Sequence, residues 1–169
     1  MDAKREMLQH FLAALAYRTQ KALRGCSDDF GSFNVGHHVR TPAELVRHMT
    51  SVLGYAQTFF IGGTYRPDEL PTLYDEIERF HTMVGDLGKK IASDAPFLND
   101  MTVERMLQGP FSDAMTHAGQ LAMLRRIADD PVPPENFIFA HIDADRLGRD
   151  QPLPASPDDV WPEAPAGRH

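Results

Sequence analysis

The 169-residue chain is 42% hydrophobic and 24% charged, a composition that favours one domain with a real hydrophobic core. Its net charge of -7, with only the isolated basic pairs Lys89-Lys90 and Arg125-Arg126, argues against nucleic-acid binding. The single cysteine, Cys26, excludes an internal disulfide and a cysteine-based zinc site. No stretch approaches the roughly 18 uninterrupted apolar residues of a membrane span. The N-terminal MDAKREMLQHFLAALAY carries charges through its first turn and makes a poor signal peptide. A cytoplasmic location is the expectation.

Residues from about Asp2 to Leu23 read as a first helix, with Leu8, Phe11, Leu12, Leu15 and Leu23 at helical spacing and Gly25 as the stop. Cys26 to Arg40 reads as a loop containing His37 and His38. Thr41-Pro42-Ala43-Glu44 is the clearest start signal: an N-cap threonine, a proline at the first helical position and a glutamate placed for a capping box. The helix it opens carries an apolar face of Leu45, Met49, Val52, Ala56, Phe59 and Phe60. Arg47, Thr50, Ser51, Gly54 and Gln57 make the other face, and Ile61-Gly62-Gly63 ends it. A third helix begins near Pro71. Its Leu73, Ile77, Phe80, Val84, Leu87 and Ile91 alternate by four and three, which is a bundle seam, with Glu76 among the outer charges.

A short helical piece spans Thr102 to Gln108, where Gly109-Pro110 either interrupts it or starts a fresh helix. The last long helix runs from Pro110 to about Ala128 and stops at Asp129-Asp130-Pro131. Glu135 to His141 reads as one or two helical turns. The remainder of the chain is a proline-rich extended tail, with Trp161 as a candidate tie to the body. With no internal repeat and no strand pair, the expected architecture is an all-α, up-down four-helix bundle over residues 1–150, with the tail at 151–169.

Two histidines interrupt apolar faces. His48 lies between Leu45 and Val52, and His117 lies inside the last long helix. Inward imidazoles are costly without partners. A divalent metal satisfies both, and Asp113, one turn before His117, completes a His-His-carboxylate set with open coordination positions. Each residue alone has a plainer reading: a hydrogen-bonded core histidine, or an acid favoured by the helix dipole. Their coincidence is what points to metal. Gln120 is placed to orient a ligand or substrate, or is a polar edge residue. His37 and His38 are candidates for the rim of a site, or solvated loop residues. His10 and His81 fall off the main seams and read as surface; His141 is a remote candidate for a supporting contact. Nothing beside Cys26 lowers its pKa, so it reads as inert. There is no phosphate-binding glycine loop, no G-x-S-x-G and no C-x-x-C.

The stretches Thr41-Pro42-Ala43-Glu44-Leu45-x-x-His48 and Asp113-x-x-x-His117-Ala118-Gly119-Gln120-Leu121-x-x-Leu124-Arg125-Arg126 resemble the DinB-like superfamily of bacterial four-helix bundles. The resemblance runs from the first helix to Pro131. It implies a metal, often nickel or zinc, held by one histidine of the second helix and two of the last long helix. By position His48 matches the first and His117 the last, while the middle position is Asp113 instead of histidine. That departure hardens the site toward manganese or iron, or weakens it. The resemblance also implies a homodimer and a small-molecule substrate. The chemistry it implies is transfer or isomerisation using a low-molecular-weight thiol, or metal-dependent hydrolysis. A non-catalytic bundle that binds a ligand or partner and keeps a degenerate site is the alternative.

Overall fold

The computed structural model describes residues 2–157, so the expectation for Trp161 falls outside the described residues. It is all-helical: α1 (Ala3–Leu23), α2 (Pro42–Ile61), α3 (Leu73–Ala92), the one-turn α4 (Val103–Met106) and α5 (Ser112–Ile127). The loop before α2 contains a 3-10 turn at Asp28–Ser32. Within the Glu135–His141 stretch, Phe137–Phe139 forms one 3-10 turn. Among the described residues, no helix is long and apolar enough to cross a membrane.

The helix boundaries follow local chemistry. Asp2 caps α1 by accepting from the Lys4 and Arg5 amides. Both halves of the Thr41–Glu44 capping box form, at 2.8 and 3.4 Å, with Pro42 opening α2. Gly62, at φ +74°, ends α2 in a conformation that disfavours a side chain. Thr72 caps α3. All six α3 seam residues are buried, each contributing about 1.5–3 kcal/mol by leaving water.

Between α4 and α5, Leu107–Phe111 forms a wide π turn in which Gly109 (φ -90°, ψ -105°) leaves the helical region beside Pro110. Met106 and Phe111 are both fully buried. Five residues of regular α-helix would place them about 140° apart around the axis. The wider turn returns both to the core.

α1 packs against α3 and α5, and α2 packs against the same two helices, so α1 and α2 sit on a diagonal. Arg5, near the start of α1, bonds to the Ile91 and Ala95 carbonyls at the end of α3, which makes these helices antiparallel. Arg125, near the end of α5, reaches the Ala22 and Arg24 carbonyls at the end of α1, which makes that pair parallel. Arg47 meets Glu76 near the starts of α2 and α3, and Phe60 in the last turn of α2 meets Phe97 just past the end of α3, so α2 and α3 also run together. The directions are therefore up, down, down, up. This corrects the simple up-down alternation expected from the sequence. The cause lies in residues 62–72, which lack regular structure. Extended, they span about 36 Å, enough to run back along a 20-residue helix of about 30 Å.

Irregular segments pack onto the helices and bury residues that read as outward-facing. Tyr65 of the returning connector lies over Gly54, where a Cβ would come within 2.0 Å of its ring; Gly54 and Thr50 are buried, while Val52 is only half-buried. The same connector covers Glu76, which is fully buried and not an outer charge. Its carboxylate accepts from the Leu70 amide at 3.0 Å and pairs with Arg79 and Arg47. At the opposite side, Leu147 inserts beside Gly88 and its carbonyl meets His81 Nδ1 at 3.0 Å. His81 is therefore 5% exposed, against the expectation of a surface residue, whereas His10 is exposed as expected. The continuation is held too: Arg24 donates to the Gln151 and Pro152 carbonyls, and Glu135 and Pro157 form an isolated bridge.

Burial lowers the His81 pKa below its usual value. Arg149 acts in the same direction, and the Leu147 hydrogen bond and Glu78 oppose it. Its Nε2 has no hydrogen-bond partner among the described residues, as suits a neutral ring that donates through Nδ1. Below about pH 6.5, the unfolded chain takes up a proton at this position that the folded chain resists. Stability from this group is thus present above about pH 6.5 and lost as pH falls through the lowered folded value. Urea unfolding between pH 5 and 7.5 is expected to show a steeper acid loss in the wild type than in His81→Gln; parallel profiles would contradict this assignment.

Candidate metal centre

His48 and His117 project from α2 and α5, which run antiparallel and in contact. The His117 position is set by Ala114, Ala118 and Leu121, all buried on the same side of α5. Asp113 stands in the first turn of α5, just after the π turn, where the positive end of the helix dipole favours a carboxylate. The three residues named from sequence meet. One donor atom from each lies within 4.8 Å of the others. His117 Nε2 is 3.4 Å from Asp113 Oδ1, and His48 Nε2 is 3.8 Å from Asp113 Oδ2. The imidazole rings are 4.8 Å apart and nearly perpendicular. Both histidine–aspartate distances exceed the roughly 2.7–3.2 Å of a normal hydrogen bond, so the donors converge on a gap.

The gap fits an ion. Donors bound to one metal at about 2.1 Å lie about 3.0–3.5 Å apart when adjacent. The widest separation here closes to that range if two side chains each move about 0.7 Å, a small torsional adjustment. Two nitrogens and one carboxylate oxygen are ordinary ligands for first-row divalent metals.

Gln120 fixes the chemistry of His117. Its Oε1 lies 2.8 Å from His117 Nδ1 and can only accept, so Nδ1 is the donor there and Nε2, facing Asp113, is the nitrogen left to ligate. Gln120 is itself exposed, as a polar edge residue would be, yet it selects the tautomer a metal needs. Burial, aided by Arg40 and His117, pushes the His48 pKa below its usual value, with Asp113 opposing. These effects favour the neutral ring, the form that can ligate. Exposure grades across the set: the side chains of His117, His48 and Asp113 are 10%, 31% and 49% exposed.

Two clefts adjoin these residues. One, of about 600 Å³, is lined by His48, His38, Arg40, Arg47 and Arg66 among others. The other, of about 640 Å³, is lined by Asp113, Val52, Tyr55, Gln108 and Pro110 among others. Ser51 lines both. His38 therefore reaches the rim, as its loop position suggested. His37 is exposed and lines neither cleft, and the same holds for His141. His37 and His38 both adopt left-handed backbone, at φ +54° and +59°. Cys26 is half-buried, and burial pushes its thiol pKa up, consistent with an inert residue. The arginines and Tyr55 were not singled out from sequence. Arg66 comes to the site only because its connector folds back along the bundle, which no periodicity encodes.

No protein-family model, curated protein or solved structure matches this chain.

Proposed function

We propose that the protein is a metal-dependent enzyme of the DinB-like type, with a divalent ion held by His48, Asp113 and His117. The observation that carries this reading is the convergence of three donors from two helices, with the His117 tautomer set by Gln120. The motifs around His48 and His117 and the all-helical architecture support the family placement. Nickel and zinc suit the two imidazoles; the Asp113 carboxylate shifts preference toward manganese or iron. A divalent ion at such a site lowers the pKa of a water or thiol, which serves hydrolysis or S-transfer. The chain's own residues then have separate tasks. Asp113 offers negative charge at the solvent side, Gln120 holds the His117 ring through Nδ1, and burial favours the neutral form of His48. The clefts on either side admit a small-molecule substrate and, in the transfer version, a low-molecular-weight thiol.

The test is metal content after metal-replete expression and purification without a histidine tag. The wild type is expected to retain about one ion per chain and His48→Ala several-fold less. Less than about 0.1 ion per chain in both proteins would overturn the reading. Metal retention without turnover on a panel of bacterial thiols and simple esters would instead favour a non-catalytic binding bundle.

A further inference from the structure

The cleft beside His48 has a charge character opposite to that of the whole chain. Against a net charge of -7, it is lined by three arginines, Arg40, Arg47 and Arg66, with His38 and one carboxylate, Glu44. Glu44, whose Oε2 accepts from the Thr41 amide at 2.8 Å, is the one acid in this lining, which stays net positive. Arg47 is held by Glu69 at 3.2 Å and by buried Glu76 at 3.6 Å, so its charge is offset and its position fixed. Among the described residues, Arg40 and Arg66 have no ion-pair partner. Two guanidinium groups without carboxylates, lining a concave site, suit an oxyanion. The neighbouring cleft differs: Val52, Tyr55 and Pro110 give it apolar surface, and Asp113 stands on its wall.

We propose that this protein takes an anionic substrate, one whose carboxylate or phosphate group is bound by Arg40 and Arg66 while an apolar arm lies along Val52, Tyr55 and Pro110. The reacting bond then lies by Ser51, which lines both clefts, with His48 on the one side and Asp113 on the other. The placement of that bond rests on the metal-dependent reading; the anion site does not.

The two parts are separable by calorimetric titration of the full chain with phenylacetate, phenyl phosphate and neutral phenylacetamide, with and without added zinc. The variant is Arg40→Gln/Arg66→Gln, which alters two exposed side chains and none of the three donors. At least one of the two acids is expected to bind at least about tenfold more tightly than the amide, and the double variant to lose about tenfold or more of that affinity. The acid that meets this ratio names the oxyanion. Metal content of the variant is expected to match wild type. Equal affinity for acids and amide, equal affinity in wild type and variant, or no measurable binding of either acid would overturn the proposal. If arginine-dependent acid binding persists in a protein that retains no metal, the anion site stands and the metal-dependent reading fails.

Discussion

Glu76→Ala is expected to destabilise the fold by about 3–5 kcal/mol, measured as a lower urea midpoint at unchanged slope. Glu76 is fully buried, and its oxygens meet Arg79, Arg47 and the Leu70 amide. Truncation leaves the Arg79 guanidinium without a countercharge, leaves Arg47 with Glu69 alone, and strands a backbone donor without its acceptor. It also removes the tie between the returning connector and α3. Glu78→Ala is the control. Glu78 pairs with Arg149 at 2.6 Å, but both side chains are well exposed, 47% and 36%. Exposed pairs contribute about 0.2–1 kcal/mol, so the two glutamates, two positions apart on one helix, should differ several-fold in effect. Similar costs for the two variants would show that the connector does not shield Glu76 as described.

The second large effect concerns Gln120. Zinc affinity, measured by competition with a chelating dye, should fall about 10–100-fold in Gln120→Ala, while stability changes by less than about 0.5 kcal/mol because the residue is exposed. The loss comes from freeing the His117 ring, which no longer holds its proton on Nδ1. Asp113→His is the companion variant. It replaces the carboxylate by a third imidazole one turn before His117, and should retain zinc binding. Unchanged affinity in Gln120→Ala would show that the 2.8 Å contact does not set the ligating tautomer.

Much of this was readable from the chain. Leu73, Ile77, Phe80, Val84, Leu87 and Ile91 announced a core face because helical burial is periodic, and Thr41-Pro42-Ala43-Glu44 announced a helix start because capping is local. His48, Asp113 and His117 were identifiable because imidazoles at apolar positions demand partners, and i, i+4 spacing lets two donors of one helix meet. The misread residues share a different cause. Gly54, Glu76 and His81 each face outward from the helices alone, and each is covered by an aperiodic segment, residues 62–72 or the stretch around Leu147. The direction of α3 was hidden for the same reason. An eleven-residue connector can turn back at once or run the length of a helix, and its composition does not choose. The arginine-lined cleft depends on that choice, since it brings Arg66 into the same lining as Arg40.

The ties between α1 and the C-terminal segment have a consequence for the order in which the protein is completed. The Tyr17 hydroxyl donates to Glu135 at 2.6 Å across 118 positions, and Gln9 and Arg24 bond to the Ala144, Gln151 and Pro152 carbonyls. At a synthesis rate of about 5–20 residues per second, Glu135 is made about 6–24 s after Tyr17. During that interval α1 exists without the acceptors and donors that finally cover its polar positions. Helices α2 and α3 can close on one another long before that. Of the helices described, α1 thus waits longest for the segment that finally covers it, and on the ribosome its flank toward that segment stays open to chaperones for the interval.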